Sequence, residues 1–215
     1  MTNIKSGSIT PTMTSTIEEL LDEINTLGLN TVNVPVLIDI PSTTSSSMAV
    51  NSTSKAEAIS IIQELNNNNI SVILEPYPWI NGGTVAETEY NPTDVNTFFW
   101  NWKTIILNEL ITDICNVYTV DYLNVASNFE LLESNSGYWS DVFSYVKVDM
   151  SYSGQTIYRT NWWVTATWDT GAGSTTEAYN TKLANSLFSD SNLDIISISA
   201  YFELTDSDFP SKAEI

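Results

Sequence analysis

The chain alternates β-rich segments with segments of helical periodicity along most of its length, and this alternation constrains its fold more than any other feature. Runs of β-branched and apolar residues predict five strands, which are 31–40, 70–80, 121–130, 155–163 and 194–204. The stretches between them place apolar residues at helical spacing. Because strands joined by helical crossovers pair in parallel, an α/β fold is expected, either a doubly wound sheet or a (β/α)8 barrel.

Short sequence signals predict where the first two helices begin and end. Ser15 and Glu18 have the spacing of a capping box, and Ser54 and Glu57 repeat it before the second apolar stripe. Gly28 follows the last periodic residue of the first helix, where a left-handed C-cap is expected. These signals place one helix on each side of the strand 31–40.

The composition excludes several classes of function. The chain has 26 acidic and 7 basic residues and a net charge of −19, which argues against binding nucleic acid or an anionic membrane surface. Its lack of histidine excludes Ser-His and Cys-His catalysis and histidine-ligated metals. Cys115 is the single cysteine, so an internal disulfide is excluded as well. No cofactor, no metal and no membrane insertion are therefore expected.

Aromatic and carboxylate side chains recur where the predicted strands end, which is where sites gather in parallel α/β folds. The candidates are Glu75, Tyr77 and Trp79, then Asn128 and Glu130, then Asn161, Trp162 and Trp163, and last Tyr201 and Glu203. Aromatic faces suit sugar rings, and paired carboxylates are what glycoside hydrolysis requires. The competing interpretation is structural: strand-end aromatics often form the upper core layer, and any one glutamate can be a surface acid.

Six segments in order resemble the endo-β-mannanase-like barrels of the clan A glycoside hydrolases and the related barrel domains of phage and prophage tail proteins. They are LGLNTVNVPV, ISVILEPYPWI, FFWNWKTIILNEL, DYLNVASNFEL, TNWW and DIISISAYFEL. The resemblance implies a TIM-barrel-like fold in which 31–38 is the second strand and 194–199 the sixth. Strands two to six are recognisable, and only Ile4–Thr10 offers a first, so the barrel is expected to be incomplete or reduced.

The resemblance also implies roles for single residues. Glu130 takes the place of the family's acid/base glutamate after the fourth strand. The family's sugar-contacting aromatics would correspond to Tyr77 or Trp79, to Trp162 or Trp163, and to Tyr201. The strand-end pattern, rather than the resemblance, adds Glu75, Asn128 and Asn161 to the expected substrate-binding set.

The chain departs from the family pattern at several positions. Phe129 separates Asn128 from Glu130, where the family has a direct pair, and Asn33 stands where many relatives carry arginine. The family's nucleophile ends a seventh strand, for which no counterpart is seen, and Glu203 is a weak alternative. The expected barrel is therefore a fragment or a reduced form.

Two functions remain open at this point. The first is a carbohydrate-recognising domain that binds a polysaccharide or host cell-surface glycan, in the setting of a phage tail and of a larger assembly of subunits. The alternative is a retaining, endo-acting β-glycoside hydrolase with Glu130 as acid/base and its nucleophile missing from this chain. The domain is expected over 15–206, after a polar leader at 1–14 and before an acidic tail at 207–215. No signal peptide is recognisable, which leaves virion and cytoplasm open as locations.

Overall fold

The fold is built around one β-sheet, seen in a computed structural model that describes residues 3–10, 15–161, 180–182 and 184–199. The strands are β1 (Ser6–Ser8), β2 (Thr31–Ile40), β3 (Ala49–Val50), β4 (Ser71–Ile80), β5 (Tyr122–Ser127), β6 (Gln155–Asn161) and β7 (Ile195–Ser199). Over the described residues the strand order is β1-β2-β4-β5-β6-β7, and each neighbouring pair is parallel. The short β3 pairs antiparallel with the end of β2.

The parallel strands follow one another in the order of the chain. A doubly wound sheet would reverse its order at a switch point, so that alternative is excluded. Because successive right-handed crossovers all advance in one direction, their helices cover one face of the sheet and leave the other as an inner face. This is the arrangement expected for part of a (β/α)8 barrel. The first barrel strand is β1, within the segment predicted as a leader, so the sheet already begins there.

Four helices form the outer layer of the described structure. They are α1 (Ile17–Leu27), α2 (Ser52–Asn67), α3 (residues 95–115) and α4 (residues 136–149), the last of which ends in a π-helical turn at Tyr145–Asp149. The helix α3 begins as Val95–Asn101 and includes wider π-helical turns at Trp102–Leu107 and Ile111–Cys115. Single 3-10 turns lie at Glu87–Glu89, Glu130–Leu132 and Ser186–Ser189. In this part of the chain, no helix has the length and apolar character needed to cross a bilayer.

The first helix begins one residue later than its sequence signal indicates. Thr16 is the N-cap: its hydroxyl accepts from the Glu19 N–H, and the Glu19 carboxylate accepts from the Thr16 N–H. The predicted pair of Ser15 and Glu18 is therefore wrong by one position. Gly28 has a φ of 63° and forms the left-handed C-cap, as predicted.

The second helix has a different cap from the one predicted. Asn51 is its N-cap, and the Asn51 side chain accepts from the Ser54 N–H. Ser54 lies inside the helix, where its hydroxyl accepts a 3.0 Å hydrogen bond from the Leu37 N–H of β2. The predicted capping box of Ser54 and Glu57 is wrong because this serine ties the helix to the sheet instead.

The core lies between the sheet and the helices. Alternate residues of β2 are almost fully buried towards the helices: Val32, Val34, Val36, Ile38 and Ile40. Behind β5 and β6, an aromatic cluster fills the layer, comprising Tyr90, Phe98, Phe99, Trp102, Phe129, Trp139, Phe143 and Tyr158. With the outer face packed in this way, the inner face and the C-terminal ends of the strands remain for a site.

Candidate functional site

A buried carboxylate, Glu75, lies at the centre of the inner face. It stands halfway along β4 and is 1% exposed. Arg159 of β6 reaches across β5 to it, with a guanidinium Nη2 to carboxylate Oε1 distance of 2.5 Å. Ser127, the last residue of β5, donates to the same carboxylate oxygen at 2.7 Å. Three parallel strands thus place charged and hydroxyl groups at one point.

Amide side chains extend this network to the neighbouring strands. Asn33 of β2 donates to the other oxygen of Glu75, and also to the Ser8 hydroxyl of β1 at 3.1 Å. Asn124 of β5 donates to the Ser127 hydroxyl at 2.6 Å. The polar network therefore spans β1, β2, β4, β5 and β6. A register shift between Asn124 and Ala126 allows Asn124 and Ser127, three positions apart, to meet on the same face. Asn33 occupies the position where the resemblance implies an arginine, and its amide donates a hydrogen bond to Glu75.

Tyr77 and Trp79 follow Glu75 on the same face of β4, at alternate positions towards its C-terminal end. Both are partly exposed, and their ring centroids are 6.4 Å apart with the planes tilted by 49°. The loop after β4 supports Trp79 from one side: a Cβ added at Gly83 would overlap the indole ring. Gly83 has a φ of 77°, so its own backbone also favours glycine. The contact with Gly83 thus restricts the orientation of the Trp79 ring, which lies close to the C-terminal end of β4.

The Tyr77 hydroxyl links the aromatic pair to charged groups. Partial burial raises the pKa of Tyr77 to about 12, with further raising by the Glu87 carboxylate, which accepts its hydrogen bond, and by Glu75. Arg159 opposes this shift. Tyr77 therefore stays a neutral hydroxyl donor over the physiological range, above the network centred on Glu75.

A tight turn separates β5 from Glu130. Asn128 adopts a left-handed φ of 54° and its N–H donates to the Arg159 carbonyl at 2.8 Å. The Glu130 N–H then donates to the Asn128 carbonyl at 2.8 Å, which closes a three-residue turn around Phe129. Phe129 is fully buried in the aromatic cluster. The residue that interrupts the expected Asn-Glu pair is thus accommodated in the core, and Glu130 begins the next 3-10 turn.

Glu130 belongs to a second group of charges at the ends of β5 and β6. Burial raises its pKa, the Glu133 carboxylate raises it further, and the Lys182 ammonium opposes the shift. Burial also raises the pKa of Glu133, which accepts from the Thr160 hydroxyl at 2.5 Å and pairs with Lys182 at 3.3 Å. An acid that keeps its proton at higher pH is what general acid catalysis requires. Across the described ranges, no three His, Cys, Asp or Glu side chains are arranged to hold a metal ion.

The sequence candidates are only partly brought together. Glu75, Tyr77 and Trp79 form one continuous surface on β4. Asn161 ends β6, and its carbonyl accepts from Lys182 at 3.0 Å, on the side of the group around Glu130. The remaining candidates lie outside the described residues: Trp162, Trp163, Tyr201 and Glu203.

Sequence reasoning missed Arg159, Glu133 and Lys182. Arg159 is the single arginine of the chain and stands inside a predicted strand, which is an unusual place for a charged residue and could have marked it. Glu133 and Lys182 gave no such signal, because each is one of several similar residues and their pairing joins segments 49 positions apart.

Comparison with known proteins supports this architecture. Residues 2–126, more than half of the chain, match the model of the Cellulase family, glycosyl hydrolase family 5. That region includes β1 to β4 and nearly all of β5. No curated protein matches the sequence.

Solved β-mannanases share the fold at low sequence identity. A GH113 beta-1,4-mannanase matches with a TM-score of 0.64 at 16% identity, over 88% of this chain and 58% of that one. The GH113 beta-mannanase AaManA from Alicyclobacillus acidocaldarius, in complex with ManMIm, matches with a TM-score of 0.67 at 14% identity, over 87% and 56%. The chain thus spans less than three fifths of these barrels. The predicted clan A resemblance and partial TIM-barrel fold are confirmed.

Proposed function

The chain belongs to the Cellulase family, glycosyl hydrolase family 5, and on that basis we propose that it binds a β-linked polysaccharide along the C-terminal ends of its parallel strands. The observation that carries this proposal is the pair of Tyr77 and Trp79, two partly exposed rings on the inner face above a polar network. Such rings pack on the apolar faces of pyranoses, while the polar groups below them bind hydroxyls. Mannan and cellulose are the first polysaccharides to test, because the structural neighbours are named as mannanases and the matching family is named Cellulase.

Retention on mannan and on cellulose tests this proposal. Replacement of Trp79 with alanine should reduce retention on at least one of the two matrices by tenfold or more. Trp100 provides a matched control, since it is another tryptophan but lies 64% exposed on α3, in the outer layer of helices. Trp100→Ala should be retained like the parent. Equal retention of the parent, Trp79→Ala and Trp100→Ala would contradict the proposal, as would no retention of the parent.

Hydrolysis is the second candidate function, and Glu130 favours it. A carboxyl whose pKa is raised by burial can protonate the leaving oxygen of a glycosidic bond. Retaining hydrolysis also needs a second carboxylate about 5–5.5 Å away as nucleophile. The Glu133 carboxylate raises the pKa of Glu130, but it is not available as a nucleophile because it accepts a hydrogen bond from Thr160 and pairs with Lys182. We therefore assign no nucleophile among the described residues, and Glu203, which lies outside them, remains a weak alternative.

Cleavage of manno- and cello-oligosaccharides tests this second candidate. Glu130→Gln should lower the rate at least 100-fold, because general acid catalysis typically contributes a factor of that order. Glu23→Gln, at an exposed position in the second half of α1, is the control and should leave the rate unchanged. Equal rates in the parent and in Glu130→Gln would remove Glu130 from the mechanism.

We further propose a cell-surface glycan as the target and a phage tail as the setting. The support for this is the similarity of the ordered sequence segments to tail-associated barrel domains. Binding of the labelled protein to intact bacterial cells, abolished by Trp79→Ala and retained in Trp100→Ala, is the expected result. Uniform absence of binding across cells that display mannose- and glucose-containing polymers would contradict it.

A further inference from the structure

The charge pair of Glu75 and Arg159 has a role that packing does not explain. Arg159 is the single arginine in a chain of net charge −19, and it is placed inside the sheet rather than on the surface. Of the described lysines, Lys55, Lys103 and Lys147 pair with partly exposed carboxylates, and Lys182 pairs with the buried Glu133. The partner of Arg159 is the most deeply buried of these carboxylates, with the Glu75 side chain 2% exposed.

The network around this pair is costly to bury. Three of its buried polar atoms lack a hydrogen-bond partner among the described residues: Asn33 Oδ1, Asn124 Oδ1 and Arg159 Nε. A buried polar atom without a partner costs free energy relative to an apolar side chain, so packing alone does not account for these residues. Residues that violate packing rules in this way are expected at functional positions.

The guanidinium of Arg159 is bound by Glu75, and the side chain is still partly exposed to solvent. One of its N–H groups is used on Glu75, while the Arg159 side chain remains 23% exposed. Guanidinium is planar and carries five N–H donors, so fixing one edge orients the others. Tyr77 lies near enough to Arg159 and Glu75 for both to act on its hydroxyl. Apart from the buried Nε–H, the remaining donors of Arg159 therefore lie in the same part of the inner face as the aromatic pair.

On the basis of the proposed glycan binding, we propose that Glu75 is a positioning residue that orients Arg159, and that the exposed guanidinium N–H groups of Arg159 donate to hydroxyl oxygens of the bound sugar. Glu75 also balances the charge of Arg159, so that the pair attracts no carboxylate. The pair thus sets both the orientation of a neutral sugar and the exclusion of uronate sugars.

The single arginine makes a direct test possible. In a ¹⁵N–¹H spectrum of the full chain, one arginine Nε–H signal is present and belongs to Arg159. Titration with mannohexaose or cellohexaose should shift this signal in parallel with binding measured by calorimetry. Arg159→Lys keeps the charge but loses the planar fork, and should weaken binding of the neutral oligosaccharide about tenfold or more.

Glu75→Gln tests the positioning and the charge balance together. It should weaken binding of the neutral hexaose and increase affinity for oligogalacturonate, which carries a carboxylate on each sugar, about tenfold relative to the parent. Lys147→Gln is the matched control: it removes one member of an ion pair with Asp194 at the opposite end of β6, and should change neither affinity. A purely structural role of Glu75 would not increase uronate binding.

The outcomes separate this inference from the proposed function. If the hexaose binds in a manner that depends on Trp79 while the Arg159 signal does not move, the inference is wrong and the proposed function stands. The same conclusion follows if Arg159→Lys and Glu75→Gln bind like the parent. If the parent binds no oligosaccharide, both fail. If Glu75→Gln does not fold, the titration of the parent with the hexaose, followed by the Arg159 signal, tests the inference on its own.

Discussion

Asn128 and Glu130 are joined by a main-chain hydrogen bond of 2.8 Å that spans Phe129. The turn needs the left-handed backbone of Asn128, and asparagine adopts this conformation more readily than most residues do. One additional residue between a strand and a catalytic candidate would ordinarily move that candidate to the other face. Here the turn accommodates the residue: Phe129 is buried in the core, and Glu130 begins the 3-10 turn that follows β5.

The burial of Phe129 should make it essential for stability. Phe129→Ala removes a fully buried ring that contacts Tyr90, Phe98 and Trp102, and should lower the free energy of unfolding by about 3–5 kcal/mol. Leu131→Ala, two positions later and 51% exposed, should change it by less than about 0.5 kcal/mol. Urea unfolding of both variants checks this, and similar losses in the two would contradict the packing of Phe129.

The raised pKa of Glu130 should make its contribution to stability depend on pH. The folded state binds the proton more tightly than the unfolded state, so this contribution is complete below the ordinary pKa of about 4.5 and is lost as the pH rises through the raised value. Glu130→Gln does not titrate. The stability of the parent relative to Glu130→Gln should therefore fall between pH 4 and pH 7 in a series of urea unfolding curves. A difference that stays constant over this range would show that Glu130 is not perturbed.

Two adjacent glycines should differ in their effect on Trp79. Gly82→Ala and Gly83→Ala both place alanine at a left-handed φ, which costs about 1–2 kcal/mol in each case. Only at Gly83 does the added methyl overlap the indole of Trp79, since nothing lies within 4 Å of a Cβ at Gly82. Retention on the polysaccharide should therefore fall in Gly83→Ala and persist in Gly82→Ala. Equal retention of the two variants would mean that the orientation of Trp79 does not matter for binding.

The position of the first helix cap can be tested by a pair of neighbouring substitutions. Thr16→Ala should lower the free energy of unfolding by about 1 kcal/mol, because it removes the acceptor for the Glu19 N–H. Ser15→Ala should have an effect of no more than about 0.5 kcal/mol. Thermal or urea unfolding measures both, and a larger loss in Ser15→Ala would restore the cap predicted from the sequence.

The strands and their direction could be predicted from the sequence because they depend on local patterns. The β-branched run from Thr31 to Ile40 forms a strand with those bounds, and the run at 70–80 differs by one residue. β5 ends at Ser127, three residues before the predicted end, because the left-handed Asn128 turns the chain. That turn depends on a place in the core for Phe129, which is a tertiary contact.

The site was less predictable because its groups meet across strands. Glu75 was predicted as a strand-end carboxylate but lies halfway along β4, and its pairing with Arg159 joins residues 84 positions apart. Ser54 shows the same limit: its sequence position fits a helix cap, whereas its hydroxyl binds the Leu37 N–H of a neighbouring strand. Local spacing gives the types of residue available, and the register of the sheet decides which of them meet.

The succession of parallel strands in chain order has a consequence for synthesis. Each parallel strand from β2 to β7 pairs with the parallel strand made just before it, so the sheet can grow at one edge as the chain emerges from the ribosome. Among the described parallel strands, each one after β1 therefore finds a partner that has already been made, whereas a central strand of a doubly wound sheet waits for a partner encoded later. Pairing between successive parallel strands also closes shorter segments than pairing between distant ones would, which lowers the entropic cost of each closure.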